Sequence, residues 1–210
     1  RSGGVNQSWE LGRRLGMHAA FGPFMDFDGG RYGMAVLSRF PIRRVRAVPL
    51  PDGHEPRVAL AVEVRGPDGR ALTIVNVHFD WVADDRFRRA QAEATAAFLR
   101  TLRTPFILLG DFNDVPGSPT LAVFDGLARE ADKPADARLT WPAADPEVEI
   151  DFVLAGPPER WAPRRVRVVP ETRATDHRPV VADLELRPAP ARSGPRADGD
   201  AEPRAAAPGS

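Results

Sequence analysis

Asp111 and Asn113 stand two residues apart at the end of the apolar run Phe106-Ile107-Leu108-Leu109, directly after Gly110. Such a run reads as a short strand buried on both faces that stops at the glycine, and the mouth of a buried strand is where α/β folds keep their chemistry. Gly, Asp and Asn are also ordinary turn formers, so this stretch alone suits a plain Asx turn equally well. Its company tips the balance: Asn76-Val77-His78 before it, Glu149-Ile150-Asp151-Phe152 and Thr175-Asp176-His177-Arg178-Pro179 after it. Each of these sits at the end or start of a β-rich run, so one rim of a sandwich can gather them all. Together they supply what hydrolysis of a phosphate ester needs: carboxylates for a divalent cation, a base or positioner for the attacking water, and donors for the phosphate oxygens. An acid inside the apolar strand Ile150–Leu154 is costly if buried alone, so Asp151 calls for a partner such as His177.

The elements that must position these groups follow from periodicity and punctuation. Asn6 caps a helix over Gln7 to Leu15 that ends at Gly16, with Trp9, Leu11 and Leu15 as its inner face. Strands are predicted over Met17–Phe21, ended by Gly22-Pro23, over Tyr32–Ser38, and from Ile42, where Arg43, Arg44 and Arg46 read as a solvated face. Val58–Val64 and Ala71–Val77 form a hairpin across Gly66-Pro67-Asp68-Gly69. A long helix is expected between Asp84 and Leu102, with Phe87, Ala90, Ala94, Ala97 and Phe98 near helical spacing. A short helix near Leu121–Phe124 and an irregular stretch from Glu130 to Asp145 precede strands at Ile150–Leu154, Arg165–Val169 and Val180–Leu186. The pattern predicts two mixed sheets packed face to face with helices outside.

Length and charge bound the rest. The chain of 210 residues fits one domain, 1–187, followed by a Pro/Ala/Arg-rich tail, 188–210, expected to be disordered. Cysteine is absent, which excludes disulfides, thiolate catalysis and Cys-based zinc; any metal must rest on oxygen or imidazole. Basic and acidic residues balance at 29 each, which weighs against nucleic acid as a partner held by bulk charge. No apolar run nears the ~18 residues that span a bilayer, so a monomer in the bacterial cytoplasm is the expectation, with secretion left open because the chain starts at Arg1. His18 and His54, outside every motif, read as surface residues.

In that order and over most of the chain, these motifs, with Gly33–Ile42, resemble the endonuclease/exonuclease/phosphatase superfamily. The resemblance implies a DNase I-like α+β fold, a four-layer α/β/β/α sandwich, and a metal-dependent hydrolase of phosphate esters, in the first place a phosphodiesterase acting on a small-molecule, lipid or nucleic-acid ester. It implies that Asp151 fixes and charges His177, that Asp111 orients or deprotonates water, that Asn113 holds that water or a phosphate oxygen, and that His78 is a second phosphate donor. Asp176, with Asp111 and Asn113, would hold Mg²⁺ or Mn²⁺. Tyr32 and Arg57 are weaker candidates for substrate binding, each more readily read as structural.

The sequence departs from the family at its start. Members usually open with a strand ending in Asn and a second ending in Gln-Glu, whose glutamate is a principal metal ligand; neither is present, and Glu10, inside the first predicted helix, is a poor substitute. The chain is therefore expected to be an N-terminally incomplete enzyme. The alternative is a catalytically impaired relative that binds a phosphorylated ligand or a protein.

Overall fold

The computed structural model describes residues 3–66 and 68–188, so nearly all of the tail expected from 188 onward lies outside the described residues. Helix α1 spans Gln7–Leu15; the Asn6 side chain accepts a hydrogen bond from Trp9 N, and Gly16 ends the helix at φ 63°. Strands β1 (His18–Phe27) and β2 (Gly30–Ser38) follow as an antiparallel hairpin. Its two-residue turn, Asp28-Gly29, has positive φ at both positions, 49° and 75°, which matches the twist of the flanking strands. The stop expected at Gly22-Pro23 does not occur. β1 runs through Pro23, and the register slips between Pro23 and Met25, a bulge that absorbs a residue with no N–H to give.

The face of α1 also differs from expectation. Trp9, Leu11 and Leu15 are exposed, whereas Ser8 and Gly12 are buried. Close approach is the cause: a Cβ at position 12 would lie 2.9 Å from Met17 O and 3.1 Å from Ala19 Cβ, so the helix packs on β1 by its smooth side.

A six-stranded mixed sheet forms the centre. Its strands are β3 (Ile42–Pro49), β4 (Val58–Arg65), β5 (Ala71–His78), β6 (Phe106–Asp111), β7 (Arg129–Glu130) and β8 (Asp151–Gly156), in the order β3-β4-β5-β6-β8-β7. β5 and β6 are parallel, joined by α2 (Arg86–Arg100), and the other neighbours are antiparallel. β6 does not stop at Gly110. The glycine, at φ 136°, is paired with Val77, and a Cβ there would lie 1.9 Å from Val77 O, so only glycine lets the strand close and continue to Asp111.

The second layer is not a mixed sheet. It consists of two separate antiparallel pairs, β1–β2 over β3–β5 and, against β8, β9 (Trp161–Val168) with β10 (Val180–Leu186). β9 starts four residues before the predicted Arg165 and takes Pro163 in at a register irregularity beside Leu184. Between the pairs lies a cleft of about 280 Å³ lined by Leu72, Ile107, Ala182 and Leu184 among others. With α1 against the hairpin and α2 against the large sheet, the layers run helix, strand pairs, six-stranded sheet, helix. Strand β7 ends at Glu130, where the stretch expected to be irregular begins, and α3 (Pro119–Ala122) is capped by Ser118.

The buried face of α2 is rotated from the predicted one: Gln91, Ala92, Thr95, Ala96, Phe98 and Leu99 are buried, while Ala97 is exposed. Polar residues occupy that face because their bonds are met there. Gln91 Oε1 accepts from Asp80 N at 2.9 Å, Gln91 Nε2 donates to Pro51 O at 3.3 Å, and Thr95 Oγ1 donates to Gln91 O at 2.8 Å.

Candidate active site

The ladders put the chemistry in one row. His78, the last residue of β5, pairs with Asp111, the last of β6, and Asp111 pairs with Asp151, the first of β8. His177 arrives from the loop before β10, where its Nδ1 meets Asp151 Oδ2 at 2.9 Å. Its Nε2 lies 3.8 Å from Asp111 Oδ2, and His78 Nε2 lies 3.5 Å from the same oxygen. Asp111 Oδ1 accepts the backbone N–H of Asn113 at 2.8 Å, and Asn113 Nδ2 donates to Phe79 O at 2.9 Å. Asn113 has a positive φ of 50°, which asparagine tolerates better than most residues, so the tight Asx turn and the site are one structure.

Burial, and next the neighbouring Asp151, push the Asp111 carboxyl up to about 6. Burial, with the positive Arg57 as second cause, takes His78 down to about 4. The 3.5 Å contact between them is therefore no ion pair near neutrality, since His78 is uncharged there. His177 is raised, first by its bond to Asp151. The row thus has a neutral imidazole on one side of Asp111 and a charge-favoured imidazole on the other.

A loop that the sequence marked only as irregular holds the two halves together. Thr140, fully buried, accepts at Oγ1 from Ile150 N at 3.2 Å and from Asp151 N at 3.3 Å, and its carbonyl accepts from Arg178 N at 2.7 Å. Ala143 N donates to Asp176 O, and Arg178 Nε donates to Ala143 O, both at 2.7 Å. This loop is anchored in turn by Lys133, whose buried Nζ donates to Glu149 Oε1 at 2.7 Å, and by Arg138 on the other oxygen of Glu149.

Ligand atoms of Asp111, Asp151 and His177 all lie within 4.8 Å of one another, a donor set that can hold a divalent cation. Asp176 stands outside that group: it is exposed, its Oδ1 accepts from Thr175 Oγ1 at 3.3 Å, and only its charge reaches the two histidines. Arg57 is 3% exposed, with Nη2 on Glu55 at 2.8 Å and with no partner for Nε or Nη1. Its guanidinium lies 5.3 Å over the Phe24 ring. Tyr32 packs edge-on against Phe24 at 5.0 Å, so it meets Arg57 only through that ring. Sequence reasoning missed Thr140, Asp80 and Gln91, whose value lies in bonds to distant backbone.

The model of the endonuclease/exonuclease/phosphatase family matches residues 5–177. The chain belongs to that family. The uncharacterised protein YbhP of Escherichia coli K12 is 29% identical over 178 residues, which is 80% of this chain and 68% of that protein. Among solved structures, a member of the family from Bacteroides vulgatus superposes with a TM-score of 0.73 at 21% identity, covering 86% of this chain and 81% of that one. The catalytic domain of human nocturnin superposes with a TM-score of 0.69 at 20% identity, covering 87% and 77%. These likenesses show the DNase I-like fold, and phosphate-ester hydrolysis is the chemistry against which a site of this family is read.

Proposed function

We propose that the chain hydrolyses phosphate esters, in the first place phosphodiesters, with the row His78–Asp111–Asp151–His177 as its reacting centre. The observation that carries this is the single carboxylate oxygen of Asp111 standing between a neutral and a charge-favoured imidazole. Asp111 accepts a proton from water as the water oxygen bonds to phosphorus. The ester P–O bond breaks, and the departing alkoxide takes its proton from solvent. His177, oriented by Asp151, donates from Nε2 to a phosphate oxygen on which charge builds. His78 donates to a second oxygen, Asn113 fixes the Asp111 carboxylate through its N–H, and the buried Arg57 contributes its positive charge to the site.

Asp111 and Asp151 would hold Mg²⁺ or Mn²⁺, with the charge of Asp176 acting from outside that group; a hard cation of this kind, when bound, neutralises phosphate charge and lowers the pKa of water. Because Asp151 already spends one oxygen on His177, the set of fixed carboxylate ligands is thin, and substrate phosphate is expected to complete it. Assays of a phosphodiester panel with Mg²⁺, Mn²⁺ and chelator test the reading. Activity that needs the cation and falls at least about a hundredfold in Asp111→Asn and in His177→Ala is expected. Full activity in both variants, or none in the wild-type chain with either metal, overturns it.

A further inference from the structure

The rim beside His78 carries two exposed rings on a backbone held more firmly than an exposed loop needs. Trp81 is 56% exposed and meets the exposed His54 edge-on, ring centres 5.4 Å apart at 88°. The backbone on both sides of the pair is set by one carboxylate. Asp80, with no exposed surface, accepts at Oδ2 from His54 N at 2.6 Å and at Oδ1 from Val82 N at 3.2 Å, and its own N–H goes to the buried Gln91 of α2. Gly53 is part of the clamp: a Cβ there would lie 2.3 Å from Asp80 Oδ2. A fully buried acid and a fully buried amide are thus committed to fixing a short rim loop, an expensive arrangement for residues that contribute no core.

The same loop leads into Arg57, a buried cation whose Nε and Nη1 have no hydrogen-bond partner among the described residues and whose charge reaches His78 and Asp111. Trp81 lies three residues beyond His78, at most about 11 Å along the chain. A phosphate at the row and a ring on Trp81 can thus belong to one small molecule.

We propose that His54 and Trp81 form a ring-binding subsite beside Arg57, so that the ester accepted by this site carries a planar heteroaromatic group, as a nucleotide does. The inference rests on the phosphate-ester reading above and narrows it. Stacking on an exposed indole tolerates any base, and the edge-on imidazole closes one side of the slot.

The test follows indole and imidazole NMR signals while inorganic phosphate, ribose 5-phosphate and AMP are titrated in with Mg²⁺ present. All three should move His78 and His177, and only AMP should move the Trp81 indole. Trp81→Leu should weaken AMP roughly tenfold and leave the other two unchanged, Arg57→Met should weaken all three, and Trp9→Leu, on α1, should change nothing. Histidine signals that respond normally, with Trp81 indifferent to AMP or AMP affinity unchanged in Trp81→Leu, overturn the subsite alone. Histidine signals that ignore phosphate overturn the phosphate-ester reading and the subsite with it.

Discussion

On the face of the six-stranded sheet turned to α2, Val75, Val77 and Leu108 have no exposed surface. On the face turned to the strand pairs, Leu72, Ile74 and Ile107 are half-buried, and the same face carries Asn76, His78, Asp111 and Asp151. One face is a closed core with a cluster of phenylalanines, Phe79, Phe112, Phe124 and Phe152, in edge-to-face contact. The other carries a smaller buried cluster of Leu60, Val62 and Val64 under β1–β2, is polar at the site end, and opens along a cleft beside β9 and β10. Strand alternation makes this division possible, because His78, Asp111 and Asp151 each have a neighbour in sequence, Val77, Phe112 and Phe152, in the core.

Truncation of the closed face should do the most damage. Phe152→Ala is expected to lower the unfolding free energy by about 3–5 kcal/mol, against about 1–2 kcal/mol for Ile107→Ala, which enlarges a cleft that exists already. Urea unfolding of both variants measures the difference, and equal losses would dissolve the distinction between the faces.

The next effect is electrostatic and confined to the open face. Asp111, raised to about 6, contributes stability that is full below the ordinary carboxylate value and lost as pH rises through 6. His78, lowered to about 4, contributes stability that is full above 6.5 and lost as pH falls through 4. In the metal-free protein the two therefore offset each other between pH 6.5 and 4. Asp111→Asn should stabilise the protein at pH 7 by about 3 kcal/mol while abolishing activity, and His78→Gln should remove a loss of about 3 kcal/mol on acidification. Thermal unfolding across that window checks both. A smaller effect belongs to the joint between halves: Thr140→Val strands two backbone N–H groups and should cost about 1–2 kcal/mol. It should lower turnover more than substrate affinity, which steady-state kinetics separates.

The closed face was legible in the sequence because burial on both sides leaves an unbroken apolar run, as in Phe106–Leu109 and Phe152–Leu154. His78, Asp111 and Asp151 could be picked out as candidates too, since each ends or starts a strand, whereas His177 comes from the loop before β10. Periodicity failed where small or polar residues did the packing. Gly12 rather than Trp9 faces β1, and Gln91 and Thr95 rather than Ala97 line α2, because close approach and satisfied hydrogen bonds outweigh hydrophobicity at those positions. Gly110 read as a stop and acts as a bridge, a difference visible only when the partner strand is placed beside it. Thr140 and Asp80 left no mark in the sequence, because their partners are backbone groups contributed from elsewhere.

Lys133 is the only lysine in the chain, and its ammonium is enclosed by Glu149, Glu130 and the ring of Phe152, 4.5 Å away. The protein therefore carries one side-chain amine, and that amine can meet an acylating reagent only when the loop beneath Thr140 lifts from β8. Its rate of modification is a built-in clock for the opening of the segment that joins Asp151 to His177, readable by mass on an unaltered chain.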